Sequence, residues 1–222
     1  WYVSVARHDG EPVGMCAGFV GVHGGDLHLH SHLAAVLPGR QGAGIGRALK
    51  FHQRAWCLDH GIEVVTWTFD PLVRENARFN LHHLGASGDR YLVDLYGEMD
   101  DDINRSQPSD RLLMRWDLTG ESATLAAETP LPATDARTWE EAGAVRAVSD
   151  DSGVPVVDDT DADLRLVATP ASVVALRRRQ PAVALEWRLA VRRAMTAGFA
   201  DGLRPVAMAD DGSYLMMREA AR

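Results

Sequence analysis

The sequence predicts an α/β fold of the α+β kind, a mixed and mostly antiparallel sheet flanked by helices. Two observations lead there. The first 36 residues hold three short apolar runs separated by turn residues, the pattern of an antiparallel meander. The apolar period then changes to a helical one, and a β-branched run and a second helical stretch follow.

Taken in order, Trp1–Ala6 alternates like a strand and Asp9-Gly10-Glu11-Pro12 is turn chemistry. Val13–Val22 is small and apolar and reads as a buried strand; His23-Gly24-Gly25-Asp26 reads as a turn, and Leu27–Val36 as a third strand. From Ile45, apolar residues at Ala48, Leu49, His52, Ala55 and Trp56 recur at helical spacing. Arg47, Lys50, Gln53 and Arg54 then form the expected polar face, and Gly61 ends the helix. His52 is expected in the core. Ile62–Phe69 reads as a buried strand. Asp70 as N-cap and Pro71 at the first helical position predict a helix to Leu84, stopped by Gly85. Tyr91–Tyr96 and Leu112–Leu118 read as strands around an acidic loop, Gly97–Asp110, which an Asp110–Arg111 ion pair would close.

Residues 119–133 read as a connector. Asp150–Asp163, with six aspartates and no basic residue, reads as a solvated loop. Thr169-Pro170 opens a helix to Arg179, a longer helix spans Pro181–Asp201, and Arg204–Met208 with Tyr214–Arg218 form a hairpin. Arg188 and Arg192 share a face of the long helix and are expected to be solvated.

Composition narrows the function classes. The chain has 222 residues, is 46% hydrophobic and carries a net charge of −8, which argues against a duplex nucleic-acid partner. The longest apolar run, Val13–Val22, is about half of the roughly 20 residues that a membrane span needs. Two cysteines in unrelated patterns and no secretory signal lead to the expectation of free thiols in the cytoplasm. Lys50 is the only lysine beside 22 arginines, a bias attributed to codon usage. The chain opens without Met, already in a strand pattern, so elements preceding Trp1 are expected to be missing.

The most informative stretch is Leu33–Leu49. A strand ends, a glycine-rich turn follows and a helix begins. Glycines allow close backbone approach with several N–H groups converging, and the helix N-terminus adds unsatisfied donors, so the turn suits a phosphate or pyrophosphate. The spacing fits neither a P-loop nor a dinucleotide-binding turn.

Gln41-x-x-Gly44-x-Gly46, after a strand ending in Val36 and opening an amphipathic helix, resembles the acyl-CoA-binding motif of the GNAT N-acyltransferase superfamily. The strand Ile62–Phe69 and the helix ending Leu84-Gly85-Ala86 match the next elements of that family in order. More narrowly, Trp67–Asn80 and Pro108-Ser109-Asp110-Arg111 resemble a little-characterised group of predicted GNAT acetyltransferases.

The resemblance covers residues 1–118, an acyl-CoA-binding core, and leaves 119–222 as a C-terminal α/β extension packing on the core or on a partner subunit. It implies acetyl-CoA or another acyl-CoA as co-substrate. It also implies transfer of the acyl group by direct attack of an amine. A small molecule or amino acid is the expected acceptor, the charge and the apolar runs lead to the expectation of no nucleic-acid or membrane partner, and a homodimer is the assembly considered. The strand before the turn would splay from its neighbour. The Ala34 N–H would then face the thioester carbonyl and Val36 would pair with the pantetheine arm. Gln41, Gly42, Ala43, Gly44, Ile45, Gly46 and Arg47 would cradle the pyrophosphate, and Asn76 would contact the arm.

His28, His30 and His32 alternate and share one face of their strand. The family's base position falls on His30, with His32 beside it, and an imidazole titrates in the range a base needs. Packed or solvated imidazoles, or a zinc site, are the other readings of the same residues, and no metal ligand set is assigned. The position of the family's usual acid, a Tyr, is held by Leu81. The thiolate then leaves unprotonated, or His82, His83, Tyr91 or Tyr96 serves. This departure also supports an alternative, a non-catalytic acyl-CoA-binding or interaction module.

Overall fold

The computed structural model describes residues 1–23, 26–97 and 107–218. The predicted turn at Gly24-Gly25 and most of the predicted acidic loop lie outside the described residues. The chain forms two compact units that are not consecutive stretches. One comprises Trp1–Trp67, His83–Ala86 and Arg115–Leu131; the other comprises the described residues of Thr68–His82, Ser87–Met114 and Pro132–Arg222.

The first unit opens with the predicted meander: β1 (Tyr2–His8), β2 (Glu11–His23) and β3 (Asp26–Val36), paired antiparallel. A register shift in the β2–β3 ladder sets Ala17 opposite Leu33 but Gly18 opposite Ser31, leaving His32 as the extra residue of a bulge. Gly18 permits it, since a Cβ there would lie 2.7 Å from the His30 carbonyl oxygen. Helix α1 (Ile45–Asp59) carries the chain across to β4 (Val64–Phe69), which pairs parallel to β3. Arg115–Asp117, the end of β6 (Arg111–Asp117), extends the strand order past β4.

The buried face of helix α1 is rotated from the one its periodicity suggests and shares only Leu49 with it as a buried residue. Leu49, Lys50, Gln53 and Cys57 are buried, whereas Ala48, His52 and Ala55 are exposed. His52 is therefore not a core residue; its Nδ1 lies 2.9 Å from the Tyr2 hydroxyl. The polar residues face inward because acceptors and aromatic faces await them there. Trp67 and Trp116 pack edge to face with centroids 6.1 Å apart, as core residues. Residues 119–133 are not merely a connector: Glu121–Glu128 forms α3, whose Ala123 and Ala126 are buried.

In the second unit, Asp70 does not cap a long helix. Its Oδ1 accepts from the Leu72 N–H at 3.0 Å, and a short α2 (Arg74–Arg78) runs into a π-helical turn at Phe79–His83. β5 is Ser87–Leu92 rather than 91–96; Gly88 lets it approach Pro205 closely. A five-stranded sheet orders as β10-β11-β9-β7-β8, from β7 (Val145–Asp151), β8 (Val154–Val157), β9 (Leu164–Val167), β10 (Leu203–Met208) and β11 (Tyr214–Arg218). Its pairs are antiparallel except β7–β9. The aspartate-rich stretch thus contains a strand, β8. Helix α4 (Ala136–Glu141) is capped by Asp135, and Leu166, Leu215, Ala136, Ala144 and Ala209 form a core. Helix α5 (Val173–Arg179) is capped by Ser172, not by Thr169.

Helix α6 (Pro181–Ala200) buries Ala184, Trp187, Arg188, Val191, Met195 and Gly198 at helical spacing. The two arginines expected in solvent are instead paired. Arg188, fully buried, donates to Asp70 Oδ2 at 2.8 Å, where Arg177 Nη2 also donates at 2.5 Å. Arg192 forms a two-pronged pair with the Asp110 carboxylate at 2.9 and 2.7 Å, and Arg111 Nη1 donates to the Asp110 main-chain carbonyl at 2.9 Å. Among the described residues, no helix is long and apolar enough to cross a membrane.

Candidate functional site

The site begins where two neighbouring strands part. Pairing between β3 and β4 runs from His28↔Val64 to His30↔Thr66 and stops, although β3 continues to Val36. The Leu37 N–H donates to the Val13 carbonyl at 3.0 Å, so Leu37 faces β2. Strand alternation then turns the N–H groups of Val36 and Ala34 to the other edge, which β4 does not cover. Ala34 is exposed and Val36 half-buried.

Beyond Val36 the chain passes through a turn in which Gly39, Gly42 and Gly44 all take left-handed φ values. At Gly42 (φ 80°) and Gly44 (φ 79°) an L-residue would be strained, so glycine is required by the path itself. Gln41, Gly42, Ala43 and Gly44 are exposed, and Ile45 and Gly46 are half-buried at the start of α1. Gly44 is the N-cap, with no side-chain capping bond and no acidic residue in the first turn. The opening N–H groups of α1 and its positive dipole end therefore form an anion-binding geometry. Arg47 differs from the other residues of the turn. Its guanidinium donates to the carbonyls of Ala126 and Ala127 at 2.6 and 2.8 Å and ties down the end of α3.

Of the histidines, His30 stands at the last β3–β4 pair, its Nδ1 3.2 Å from Thr66 Oγ1. Phe19 packs at a tilt against both His30 and His32, with centroid distances of 5.4 and 5.5 Å, so the bulge keeps both rings on one face. His32 is exposed. Burial, then the nearby His32 and His28, then the charge of Lys50, hold the His30 imidazole below its usual pKa. It is thus neutral at pH 7 and able to accept a proton. Among the described residues, no group of three or more His, Cys, Asp or Glu could hold a metal ion.

The residues considered for proton donation divide sharply. Leu81 is buried. His82 is buried with its ring nitrogens against the Pro132 carbonyl and the Met208 main chain. The buried Tyr91 hydroxyl donates to Asp110 Oδ2 at 2.7 Å. His83 and Tyr96 are exposed, the Tyr96 hydroxyl 3.4 Å from Thr68 Oγ1. Asn76 is exposed on α2, in the second unit.

Lys50 is the residue that sequence reasoning passed over. It is 3% exposed, and its ammonium donates to Ser31 Oγ at 3.0 Å and Gln53 Oε1 at 2.8 Å. The signal available was a single lysine in a chain that otherwise uses arginine for its fixed positive charge.

Residues 1–85 match the model of the acetyltransferase (GNAT) family. No curated protein matches the chain. Among solved structures, the chain is similar to Naa50 of Arabidopsis thaliana in complex with a CoA-bearing bisubstrate analogue, at 17% identity and TM-score 0.44, over 51% of this chain and 70% of that one. It is also similar to Naa20 of Chaetomium thermophilum, at 23% identity and TM-score 0.45, over 51% and 64%. A third is the ribosomal-protein-alanine N-acetyltransferase of Brucella melitensis, at 19% identity and TM-score 0.42, over 51% and 66%.

Proposed function

We propose that this chain, whose residues 1–85 match the GNAT acetyltransferase family, is an acyl-CoA-dependent N-acyltransferase acting on the amine of a small molecule or amino acid. The observation that carries the reading is the uncovered β3 edge running directly into an uncapped, glycine-built helix start. An extended amide-bearing chain such as pantetheine pairs with a strand edge, and a pyrophosphate suits a helix N-terminus. In this reading the Ala34 N–H polarises the thioester carbonyl and Val36 binds the arm. The main chain of Gln41–Gly46 and the Arg47 N–H hold the pyrophosphate, leaving the Arg47 side chain to its structural contact.

Chemistry then needs a neutral amine and a leaving thiolate. His30, neutral at pH 7, takes the proton from the acceptor ammonium directly or through one water, with His32 at the open side of the same face. The neutral amine attacks the thioester carbon, the developing oxyanion is met by the Ala34 N–H, the C–S bond breaks as the thiolate departs, and the extra proton on the new amide nitrogen is released to water. The thiol's pKa is low enough for it to leave unprotonated at neutral pH, so Leu81 need not be replaced by a donor. The net charge of −8 favours a cationic amine over an anionic acceptor.

Isothermal calorimetry with acetyl-CoA tests donor binding; no heat at millimolar ligand refutes the reading. The buried Leu81 at the usual acid position supports a second reading, a module that binds acyl-CoA without turnover. Release of free CoA with any member of a broad amine panel rejects it.

A further inference from the structure

The β3–β4 ladder ends at His30↔Thr66, and the next residue on each strand is Ser31 and Trp67. One side chain touches both. The Lys50 ammonium donates to Ser31 Oγ at 3.0 Å and lies 4.1 Å from the centroid of the Trp67 ring. Its third contact, Gln53 Oε1 at 2.8 Å, is fixed because the other end of that amide donates to Cys16 Sγ at 3.3 Å. Trp116 stands behind, 5.6 Å from the ammonium.

A compact ammonium with two oxygen acceptors and an indole face is fully satisfied there. A planar guanidinium would not suit acceptors gathered around one point, which gives a physical reason for a lone lysine among 22 arginines. The hydrogen bonds of this ammonium go to a hydroxyl and an amide oxygen, and among the described residues no carboxylate pairs with it. A charge kept in such a place at a desolvation cost that an apolar side chain would avoid points to a positional role.

We propose that Lys50 is the wedge that holds β3 and β4 at the point where they part, and is thereby a positioning residue for the donor site. The link to acyl-CoA rests on the function proposed above; the wedge itself does not. Ser31 is gripped from the α1 side of the sheet, while His30 and His32, its chain neighbours, share the opposite face. The same grip fixes the bulge and the start of the open edge that continues through Ala34 and Val36.

The test compares wild type, Lys50→Met, Ser31→Ala and the double variant. Acetyl-CoA binding is followed by calorimetry, and amide hydrogen exchange is followed in the free protein. Lys50→Met should raise the Kd for acetyl-CoA at least tenfold, and Ser31→Ala several-fold. The double variant should match Lys50→Met within twofold, because both act through one contact. In turnover, KM for acetyl-CoA should rise while KM for the acceptor is unchanged. Exchange at the Ser31 and Trp67 amides should quicken at least tenfold, with residues 2–6 unaffected. A folded Lys50→Met protein that binds acetyl-CoA within twofold of wild type and exchanges identically overturns the proposal. If Lys50→Met does not fold, Ser31→Ala decides by the same two readouts. If wild type binds no acetyl-CoA, the proposed function fails and exchange alone judges the wedge.

Discussion

His30 is the side chain whose surroundings tell most about its chemistry. It sits half-buried between Phe19 and Thr66, with two further imidazoles on its strand and a cation behind it. Burial acts first, and the neighbouring positive or protonatable groups act in the same direction, so protonation occurs below the ordinary imidazole range. A base of this kind is competent at pH 7 and is lost only in acid. The expected profile of kcat/KM therefore rises with pH through a limb below 6.5 and is level near neutrality. His30→Gln should abolish that limb and lower kcat by about 10²–10⁴-fold, the usual range for a positioned base. A variant with wild-type kcat and an unchanged profile would transfer the role to His32 or to water.

At the scale of elements, Gly85 meets the start of α3 within the first unit with no room for a side chain. Gly85 has φ 67°, and a Cβ there would overlap the Ser122 carbonyl group. Backbone cannot yield as a flexible side chain does, so Gly85→Ala should combine left-handed strain of about 1 kcal/mol or more with a main-chain clash. The expected outcome is a thermal midpoint lowered by several degrees or more, measured by circular dichroism. The sequence made that stop legible, along with the meander, β4, α6 and the closing hairpin. Each of these has an unbroken apolar period or turn chemistry of its own. What stayed hidden depends on contacts distant in sequence. Lys50 and Gln53 look like a solvent face of α1 until Ser31, Cys16 and Trp67 are brought against them. Asp70 looks like an N-cap because its partners, Arg177 and Arg188, lie 107 and 118 residues further on. β5 begins four residues before the expected Tyr91, at Ser87, in a segment without an apolar period of its own, where Gly88 admits Pro205. In the candidate site, the glycine turn and the histidine alternation were visible. The open edge at Ala34 and Val36 was inferred only through the family resemblance, since it follows from where a ladder stops.

For the molecule as a whole, a buried ammonium in the first unit and a largely buried, arginine-paired carboxylate in the second give different pH responses. In the second unit, burial would raise the Asp70 carboxyl, but the charges and hydrogen bonds of Arg188 and Arg177 outweigh it and bring it to about 2. A depressed carboxylate stabilises the fold above its unfolded value near 3.8 and loses that contribution as pH falls through 2, a loss of about 2 kcal/mol. Asp70→Asn should remove this acid dependence and, by leaving two buried guanidinium groups short of their anion, cost about 3–5 kcal/mol at pH 7. In the first unit, burial brings Lys50 down to about 8, against 10.5 in an unfolded chain. Between those values the unfolded chain binds more protons than the folded one, so stability must rise with pH. Cys57, raised by burial to about 11, acts in the opposite sense above pH 9, which makes pH 7–9 the window for Lys50. Over it, urea midpoints of wild type should rise by the equivalent of about 1 kcal/mol, and those of Lys50→Met should not. Acetyl-CoA affinity should weaken over the same window, because the neutral amine loses its attraction to the Trp67 face. A protein that grows more stable while its donor site loosens separates the two consequences of the buried ammonium. Parallel changes in stability and affinity would show that Lys50 serves the core alone.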